Sequence, residues 1–308
     1  MALEWSAPTL SESRAPGASA LSTPNISNLL YLWDRRTLFI GSLADQLDIT
    51  QAASALIVSL DEPLRVKTRD MQAAVKCQSL LLAAGQTASV ELGDAVVAVC
   101  YLDPLNDDYS ALLPLMTRVS PTLHIGIREE QLFQHAFRRM TEKTPRPDEA
   151  YATLDRLILR GKPAGTVADP RVARVIELIK QSVTENRPVE ALAQEVNLSV
   201  SRLVELFRQQ IGVPIRRYRQ WHRMYITAVG VAQGQSLTEA AIAAGFTDSP
   251  HLSHTFRTMF GIQPSVIFAQ LSQMKVFVPL RPELDASLPR AATNIRHTDP
   301  VKSFARMH

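Results

Sequence analysis

An internal repeat near the C-terminal end of this 308-residue chain constrains its fold more than any other feature. The segment PVEALAQEVNLSVSRLVELFRQQIGVP, residues 188–214, is followed by a similar one, SLTEAAIAAGFTDSPHLSHTFRTMFGIQP, residues 236–264. Four matched pairs lie 49 positions apart, namely Leu203 and Leu252, Phe207 and Phe256, Arg208 and Arg257, and Gly212 and Gly261. Because the period holds at apolar, basic and glycine positions alike, it indicates one structural unit present twice.

Both copies contain the capping and turn signals of a helix, a turn and a second helix. A short first helix, predicted over 189–195 and again over 237–243, ends near a residue that tolerates a left-handed backbone. A side chain that can cap the second helix follows, and a glycine ends that helix. In chain order these residues are Asn197, Ser199 and Gly212 in the first copy and Gly245, Asp248 and Gly261 in the second. The pattern favours two helix-turn-helix units.

The segment between the copies is predicted to be one continuous linker helix. It runs from Pro214, which suits the start of a helix, to about Ala232. At about 1.5 Å per residue, this helix is roughly 27 Å long. A rod of that length can hold two recognition helices about 34 Å apart, one turn of DNA, on the same face of the duplex. Upstream, Asp169 and Pro170 supply a cap and a first-turn proline that open the helical region.

Residues 171–268 resemble the DNA-binding domain of the AraC/XylS family of bacterial regulators. The resemblance is carried by LSVSRLVELFRQQIGV, by Tyr218 and Arg223 of the linker helix, by AAIAAGF, and by Leu252, Phe256-Arg257, Phe260-Gly261 and Pro264-Ser265. The chain departs from the family at His251-Leu252, where an aromatic pair is usual, and at Phe268, which replaces a closing Tyr-Arg. The resemblance implies that residues 169–268 form an all-α domain of two helix-turn-helix units joined by a linker helix.

The resemblance also implies that the second helix of each unit enters the major groove of double-stranded DNA. There, arginine can donate two hydrogen bonds to guanine, and glutamate can accept one from cytosine. The implied groove-facing residues are Ser199, Ser201, Arg202, Glu205, Arg208 and Gln209 in the first unit and Ser249, Pro250, His251, Ser253, His254 and Arg257 in the second. Phosphate contacts, which fix register without reading sequence, suit the flanking arginines Arg216, Arg217, Arg219 and Arg223.

The charge distribution agrees with a polyanionic partner. The net charge of the whole chain is only +3. Residues 1–168 carry 16 Lys and Arg against 19 Asp and Glu, whereas residues 169–268 carry 11 against 8. A basic excess therefore lies in the repeat region, where it favours binding to nucleic acid.

The rest of the chain divides where the composition changes, and the whole is predicted to be of the α+β class. Residues 1–28 are rich in Ser, Ala and Pro and are predicted to be a mobile arm. Residues 29–165 are predicted to form a strand-rich domain with flanking helices, residues 161–170 a linker, and residues 269–308 a C-terminal tail. The predicted strands lie at 38–41, 55–60, 64–66, 79–82 and 95–102, and the predicted helices at 129–143 and 149–160.

Two smaller features of the strand-rich region carry expectations of their own. Cys77 and Cys100 stand in apolar surroundings and are predicted to be buried free thiols that behave as small hydrophobes. The acidic segment 103–108 is predicted to be a solvated turn.

The strand-rich region resembles the small cupin-like β-barrel of the same family, through the runs at 55–64, 80–85 and 97–104. The resemblance implies a domain for effector sensing or dimerisation, and a pure dimerisation module without a small-molecule ligand remains the alternative. Cupin enzymes hold a metal ion with clustered histidines, and the seven histidines of this chain do not cluster there. The sequence therefore predicts no metal site, no cofactor, no catalytic residue and no enzyme.

Double-stranded DNA is the predicted partner. Family analogy adds a homodimer, since symmetric dimers are the commonest oligomers, and RNA polymerase if the protein is an activator. No apolar run reaches the roughly 18 residues that span a bilayer, and the N-terminus shows no secretion signal. The sequence thus predicts no membrane partner and a location in the cytoplasm.

Overall fold

The computed structural model describes residues 28–43, 45–50, 52–102, 104–105, 108–160, 169–261, 264 and 274–278. Nearly all of the predicted mobile arm lies outside the described residues, and Asn28, its last residue, begins the first strand. The predicted tail also lies outside them, except for a short strand at 274–277 and the residue after it.

Strands occupy the first half of the described chain and helices most of the second, which confirms the α+β class. The strands are β1 (Asn28–Leu32), β2 (Thr37–Ser42), β3 (Gln46–Thr50), β4 (Ala55–Ser59), β5 (Leu64–Thr68), β6 (Val75–Cys77), β7 (Ser79–Leu82), β8 (Thr87–Glu91), β9 (Val96–Tyr101), β10 (Thr117–Arg118), β11 (Leu123–Ile125) and β12 (Met274–Phe277). The α-helices are α1 (Asp108–Leu112), α2 (Glu130–Lys143), α3 (Pro147–Leu159), α4 (Pro170–Gln181), α5 (Val189–Glu195), α6 (Val200–Ile211), α7 (Ile215–Ala232), α8 (Leu237–Ala243) and α9 (Ser249–Phe260).

The strands form two hydrogen-bonded sheets. The larger sheet has the order β10-β11-β7-β4-β9-β2-β1-β12, and the smaller has the order β3-β8-β5-β6. Within the described residues they do not close into one barrel, because β1 pairs with β12 and not with a strand of the smaller sheet. The described strands therefore form two separate sheets, and the cupin-like barrel that the resemblance implies is not confirmed.

The larger sheet has an apolar core on each face. In β9, Val97 and Val99 pack with residues of the smaller sheet, whereas Ala98 and Cys100 pack with α1, α2 and α3. Successive residues of a strand point to opposite faces, so a strand covered on both sides is apolar at nearly every position. This explains why the apolar runs of β2, β4, β7 and β9 are strands, as predicted. The predicted strand β5 lies in the smaller sheet and alternates buried and exposed residues, and the predicted helices are observed as α2 and α3.

A buried ion pair corrects the expectation of a solvated acidic turn for Asp108, whereas Asp103 and Asp107 of the segment 103–108 lie outside the described residues. Asp108 is fully buried, and its two carboxylate oxygens accept hydrogen bonds from Arg36 at 2.6 and 2.7 Å. Arg36 also donates to Asp155 of α3 at 2.5 Å. A carboxylate leaves water only when such a partner offsets its lost hydration. The pair therefore ties β2 and its preceding turn to α1 and α3.

Two general expectations concern thiols and membranes. Cys77 and Cys100 are buried and free, as predicted, and burial raises the pKa of each thiol to about 12. Among the described residues, no helix combines the length and the apolar character needed to cross a membrane.

Helices α4 to α9 form the C-terminal part. The side chain of Asp169 accepts a hydrogen bond from the backbone N–H of Arg171 at 2.9 Å, and Pro170 stands in the first turn of α4, as predicted. The linker helix α7 begins after Pro214, which occupies its N-cap position, and ends at Ala232. It contacts α6 near one end and α8 near the other.

The helical part is docked on the sheets at several points. Lys180 of α4 pairs with Asp34, which follows β1, at 2.8 Å. Arg217 of α7 donates to the backbone oxygen of Thr50, at the end of β3, at 2.7 Å. Helix α9 packs on β3 along its C-terminal end. The two parts of the chain therefore share surfaces, and these surfaces set where α9 lies.

Candidate nucleic-acid interface

The first helix pair, α5 and α6, has the turn that the sequence predicts. Asn197 adopts a left-handed backbone with φ of 54°, which the short polar side chain of asparagine tolerates better than most. The hydroxyl of Ser199 accepts a hydrogen bond from the backbone N–H of Arg202 at 3.3 Å and caps α6. Gly212, with φ of 82°, ends the helix. One face of α6, with Leu203 and Phe207, is fully buried.

The opposite face of α6 is exposed and polar. All six residues predicted for the first unit lie on the exposed surface of the helix or its cap: Ser199, Ser201, Arg202, Glu205, Arg208 and Gln209. Three of them are connected, since Arg202 pairs with Glu205 at 2.8 Å and Gln209 donates to Glu205 at 3.3 Å. Each carboxylate oxygen of Glu205 thus already accepts one hydrogen bond, and the remaining lone pairs can still accept from a base.

Two valines lie on the same surface, and the sequence assigns no base contact to either of them. Val200 and Val204 are 37% and 41% exposed, one helical turn apart, between the polar residues. Apolar side chains at a groove-facing position can contact the methyl group of thymine. The helical period contains the signal that identifies Val204: with Leu203 and Phe207 on the buried side, position 204 points outward.

The second helix pair, α8 and α9, repeats this construction. Ser236 caps α8 and forms a reciprocal pair of hydrogen bonds with Glu239. Gly245 supplies the left-handed turn, with φ of 85°. Asp248 accepts from the backbone N–H of His251 at 2.6 Å and caps α9, and Gly261 ends that helix with φ of 76°. The predicted caps and terminating glycines of both copies are therefore the observed ones.

The predicted residues of α9 divide into two groups. Ser249, Pro250, His254 and Arg257 are exposed, whereas His251 and Ser253 are partly buried. The ring of His251 packs edge-on against Phe246 at 5.3 Å, and its Nδ1 lies 3.2 Å from the hydroxyl of Thr247. His251 therefore supports the turn between the helices in this arrangement.

The arginines of the linker helix differ in exposure. Arg216 is exposed, as a phosphate contact requires, whereas Arg217, Arg219 and Arg223 are partly buried, and burial lowers the pKa of each of these three guanidinium groups. Arg217 is held by the backbone oxygen of Thr50. The structure therefore places Arg216 with the exposed residues of α6 and leaves Arg217 at the contact with the sheets.

A second partly buried arginine of α7, Arg219, is bound within the helical part. Arg219 donates to the side-chain oxygen of Asn186 at 3.1 Å and to the backbone oxygen of Arg187. These bonds connect α7 to the loop before α5.

Among the described residues, no group of three or more His, Cys, Asp or Glu side chains is arranged to hold a metal ion.

Comparison with known proteins agrees with this geometry. Residues 192–270, from within α5 to beyond α9, match the model of a helix-turn-helix domain family. The HTH-type transcriptional regulator ArgR of Pseudomonas aeruginosa is 24% identical over 96 residues, covering 31% of this chain and 29% of that protein. The HTH-type transcriptional regulator GbdR of Pseudomonas aeruginosa is 28% identical over 96 residues, covering 31% and 26%. The match thus spans less than a third of either curated relative.

Solved structures of ToxT from Vibrio cholerae have a similar fold over a longer stretch. One ToxT structure has a TM-score of 0.53 at 13% identity and covers 77% of this chain and 97% of that chain. An apo ToxT variant has a TM-score of 0.54 at 12% identity, with the same coverage. The mixed architecture of sheets followed by helices is thus shared with ToxT. Residues 192–270 are therefore a helix-turn-helix domain similar to those of HTH-type transcriptional regulators, in agreement with the resemblance seen in the sequence.

Proposed function

We propose that this chain is a sequence-specific DNA-binding transcriptional regulator in which α6 and α9 read successive major grooves. One observation carries the proposal: a capped helix with one fully buried face and one exposed polar face occurs twice, 49 residues apart. Arg208 and Arg257 occupy equivalent exposed positions in the last turns of these helices. Each can donate two hydrogen bonds to guanine or contact phosphate. Access to DNA in a bacterial cell then places the protein in the cytoplasm.

The N-terminal sheets, in this proposal, sense an effector or hold a homodimer together. A ToxT structure with a bound unsaturated fatty acid supports the first role, because ToxT has the same overall fold. The second role follows from the family resemblance and from symmetric dimers being the commonest oligomers. Contact with RNA polymerase belongs to the proposal only if the protein activates transcription.

The test begins with selection of bound sequences from random duplexes by the full-length protein. Affinity for the selected duplex is then measured over a series of salt concentrations, where a steep decrease is expected. The variant Arg208→Ala/Arg257→Ala should bind about 100-fold more weakly, since each specific arginine contact contributes about 1–3 kcal/mol. The variant Arg65→Ala/Arg139→Ala removes two exposed arginines from β5 and α2 and is the control.

Two outcomes contradict the proposal. If no sequence is enriched, the chain does not read DNA bases. If the double variant in α6 and α9 binds as tightly as the control, the two helices are not the contact surface.

A further inference from the structure

A cavity lies where the C-terminal helices meet the sheets. Its volume is about 150 Å³. Three elements supply most of its walls: the sheets through residues such as Phe39 and Val99, α7 through Trp221 and Ala228, and α9 through Phe256 and Phe260. The cavity is therefore bordered by both parts of the chain, including one of the two helices assigned to DNA.

The side chains around the cavity determine which kind of molecule can bind in it. The side chains that the structure places around the cavity carry no formal charge, and their polar atoms belong to neutral groups such as the hydroxyls of Thr37 and Thr227. Burial raises the pKa of Tyr101, another wall residue, so its hydroxyl stays protonated. A carboxylate or ammonium group would lose its hydration here without gaining an opposite charge. The walls therefore favour an uncharged apolar occupant.

The volume limits the size of the occupant. Dry cavities of about 150 Å³ lined by Leu, Ile and Phe are known to bind benzene. The cavity of this chain has a comparable volume and a comparable lining. It therefore suits a molecule about the size of one aromatic ring or a short hydrocarbon chain.

A separate element closes the cavity on another side. After α9 the chain returns to the sheets, and β12 pairs in parallel with β1, with Met274 opposite Asn28. Met274 and Val276 line the cavity, whereas Phe277, on the other face of the sheet, stacks on Tyr31 with ring centroids 4.7 Å apart. The strand is thus anchored on one face and forms a cavity wall with the other.

We infer that this cavity is a binding site for a small uncharged apolar molecule, and that its occupancy strengthens the docking of α9 on the sheets. The first half of the inference stands without DNA binding, and the second half rests on the proposed function. Phe256 and Phe260 of α9 border the cavity while Arg257 of the same helix faces outward. A molecule that fills the cavity contacts α9 and the sheets at once, so it favours the docked position of the helix.

The experiment uses the full-length chain with toluene and benzoate, which differ by the charge of one substituent. Toluene should raise the thermal unfolding midpoint in a saturable manner, by at least about 2 °C, because a ligand of the native state stabilises it by mass action. Benzoate at the same concentration should leave the midpoint unchanged. A larger shift with benzoate, or no saturable shift with toluene, overturns the inference.

Variants locate the site. Ala228→Leu fills the cavity from α7 and should abolish the toluene shift, whereas Ala152→Leu, at an exposed position of α3, should retain it. Ala232→Leu, at an exposed cavity-lining position of the same helix, replaces Ala228→Leu if that variant does not unfold cooperatively. A toluene shift that survives in the cavity variant places the binding site elsewhere and contradicts the assignment.

Hydrogen exchange tests the link to α9. With toluene bound, amides of α9 and β3 should exchange more slowly, by about tenfold, while those of α5 should be unaffected. If amide exchange slows equally in both helix pairs, toluene does not act specifically on the docking of α9, although the cavity can still be its binding site. Since none of these measurements contains DNA, their failure is separate from failure of the DNA-binding proposal.

Discussion

The two helix pairs are copies in sequence, but they are packed differently. The core of the first pair is completed by α4, whose Val172 and Ile176 pack with Leu203 and Phe207. The core of the second pair includes Leu32, which belongs to the N-terminal sheets, together with residues of α7, α8 and α9. The first core thus consists of C-terminal helices with Ala84 and Leu105 of the N-terminal part packed at its edge, whereas the second includes Leu32 and Ala52 of the N-terminal part among its buried residues.

This difference in packing suggests different roles for the two copies of the helix pair. A helix whose core is local keeps its position when the N-terminal part moves, and α6 is such a helix. A helix whose core is shared, as in α9, changes position or stability whenever the contact with the sheets changes. We therefore expect α6 to bind DNA in any arrangement of the chain, and α9 to carry regulation from the N-terminal part.

The largest expected effect comes from removing one equivalent phenylalanine from each pair. Phe207 is fully buried, whereas Phe256 is 9% exposed and borders the cavity. Phe207→Ala should lower the free energy of unfolding by about 3–5 kcal/mol, and Phe256→Ala by about 2–3 kcal/mol, because part of its surroundings is already empty. Urea denaturation followed by circular dichroism measures both. The equivalent buried alanines Ala193 of α5 and Ala241 of α8 are the control, because neither lines the cavity, and Ala→Gly at each should give a similar loss of about 1 kcal/mol.

Equal losses for the two phenylalanines would mean that the second core is as closely packed as the first. The two helix pairs would then differ only in the residues, such as Leu32, that the second core shares with the N-terminal sheets.

The terminating glycines give the next largest effect. A Cβ on Gly261 would lie 2.8–3.1 Å from three backbone atoms of Asp48 in β3, whereas one on Gly212 would meet the Cβ of Ala84 at 3.0 Å. Both have positive φ, as does Gly234, whose surroundings are open. Gly234→Ala should therefore show the backbone cost alone, about 1 kcal/mol. Gly261→Ala should cost about 1–2 kcal/mol more and increase hydrogen exchange in β3.

Gly212→Ala should fall between these two variants, because a methyl group can move further than a strand backbone. If Gly261→Ala behaves like Gly234→Ala, α9 is not held against β3 in solution.

The features that the sequence predicted are those set by residues close together in the chain. The caps Ser199 and Asp248 and the terminating glycines are local signals, and the apolar runs of β4, β7 and β9 follow from burial on both faces of a sheet. Strand β3 was not predicted, because Gln46–Thr50 is a short run that alternates exposed and buried residues and lies outside the apolar runs. Local pattern thus predicted both helix pairs but only part of the sheets.

Contacts between distant residues were not predictable in this way. Nothing in the run Met274–Phe277 identifies β1 as its partner, almost the whole chain away. Arg36 stands next to another arginine and resembles a surface charge in the sequence, yet it is buried with Asp108. Likewise, exposure on a helix does not reveal that Arg217 contacts Thr50. The proposed regulatory role of α9 depends on such contacts, whereas the proposed DNA contacts on the exposed faces of α6 and α9 do not.

Two neighbouring arginines test whether the docked arrangement is the one that binds DNA. Arg216 is exposed, whereas Arg217 is bound to the backbone of Thr50. Arg216→Gln should reduce the slope of log affinity against log salt by about 0.9, as expected for one lost phosphate contact. Arg217→Gln should leave that slope unchanged and lower the free energy of unfolding by about 1 kcal/mol. Fluorescence anisotropy over a salt series measures the slope, and a reduced slope for Arg217→Gln would indicate that the sheets release α7 on DNA.

The smallest expected effect concerns one position at which the two pairs differ in charge. Glu205 of α6 corresponds to His254 of α9, and both are exposed. Glu205→Gln breaks the ion pair with Arg202 and should lower the free energy of unfolding by no more than about 0.5 kcal/mol, because solvent screens it. The same change removes a negative charge from the DNA-facing surface, so affinity for random duplexes should rise about two- to fivefold at low salt and return to the unmodified value at high salt. His254→Glu should do the reverse, and anisotropy at two salt concentrations measures both. If either variant leaves the affinity at low salt unchanged, the helix that carries it does not face the duplex, and the two pairs then differ in contact with DNA as well as in packing.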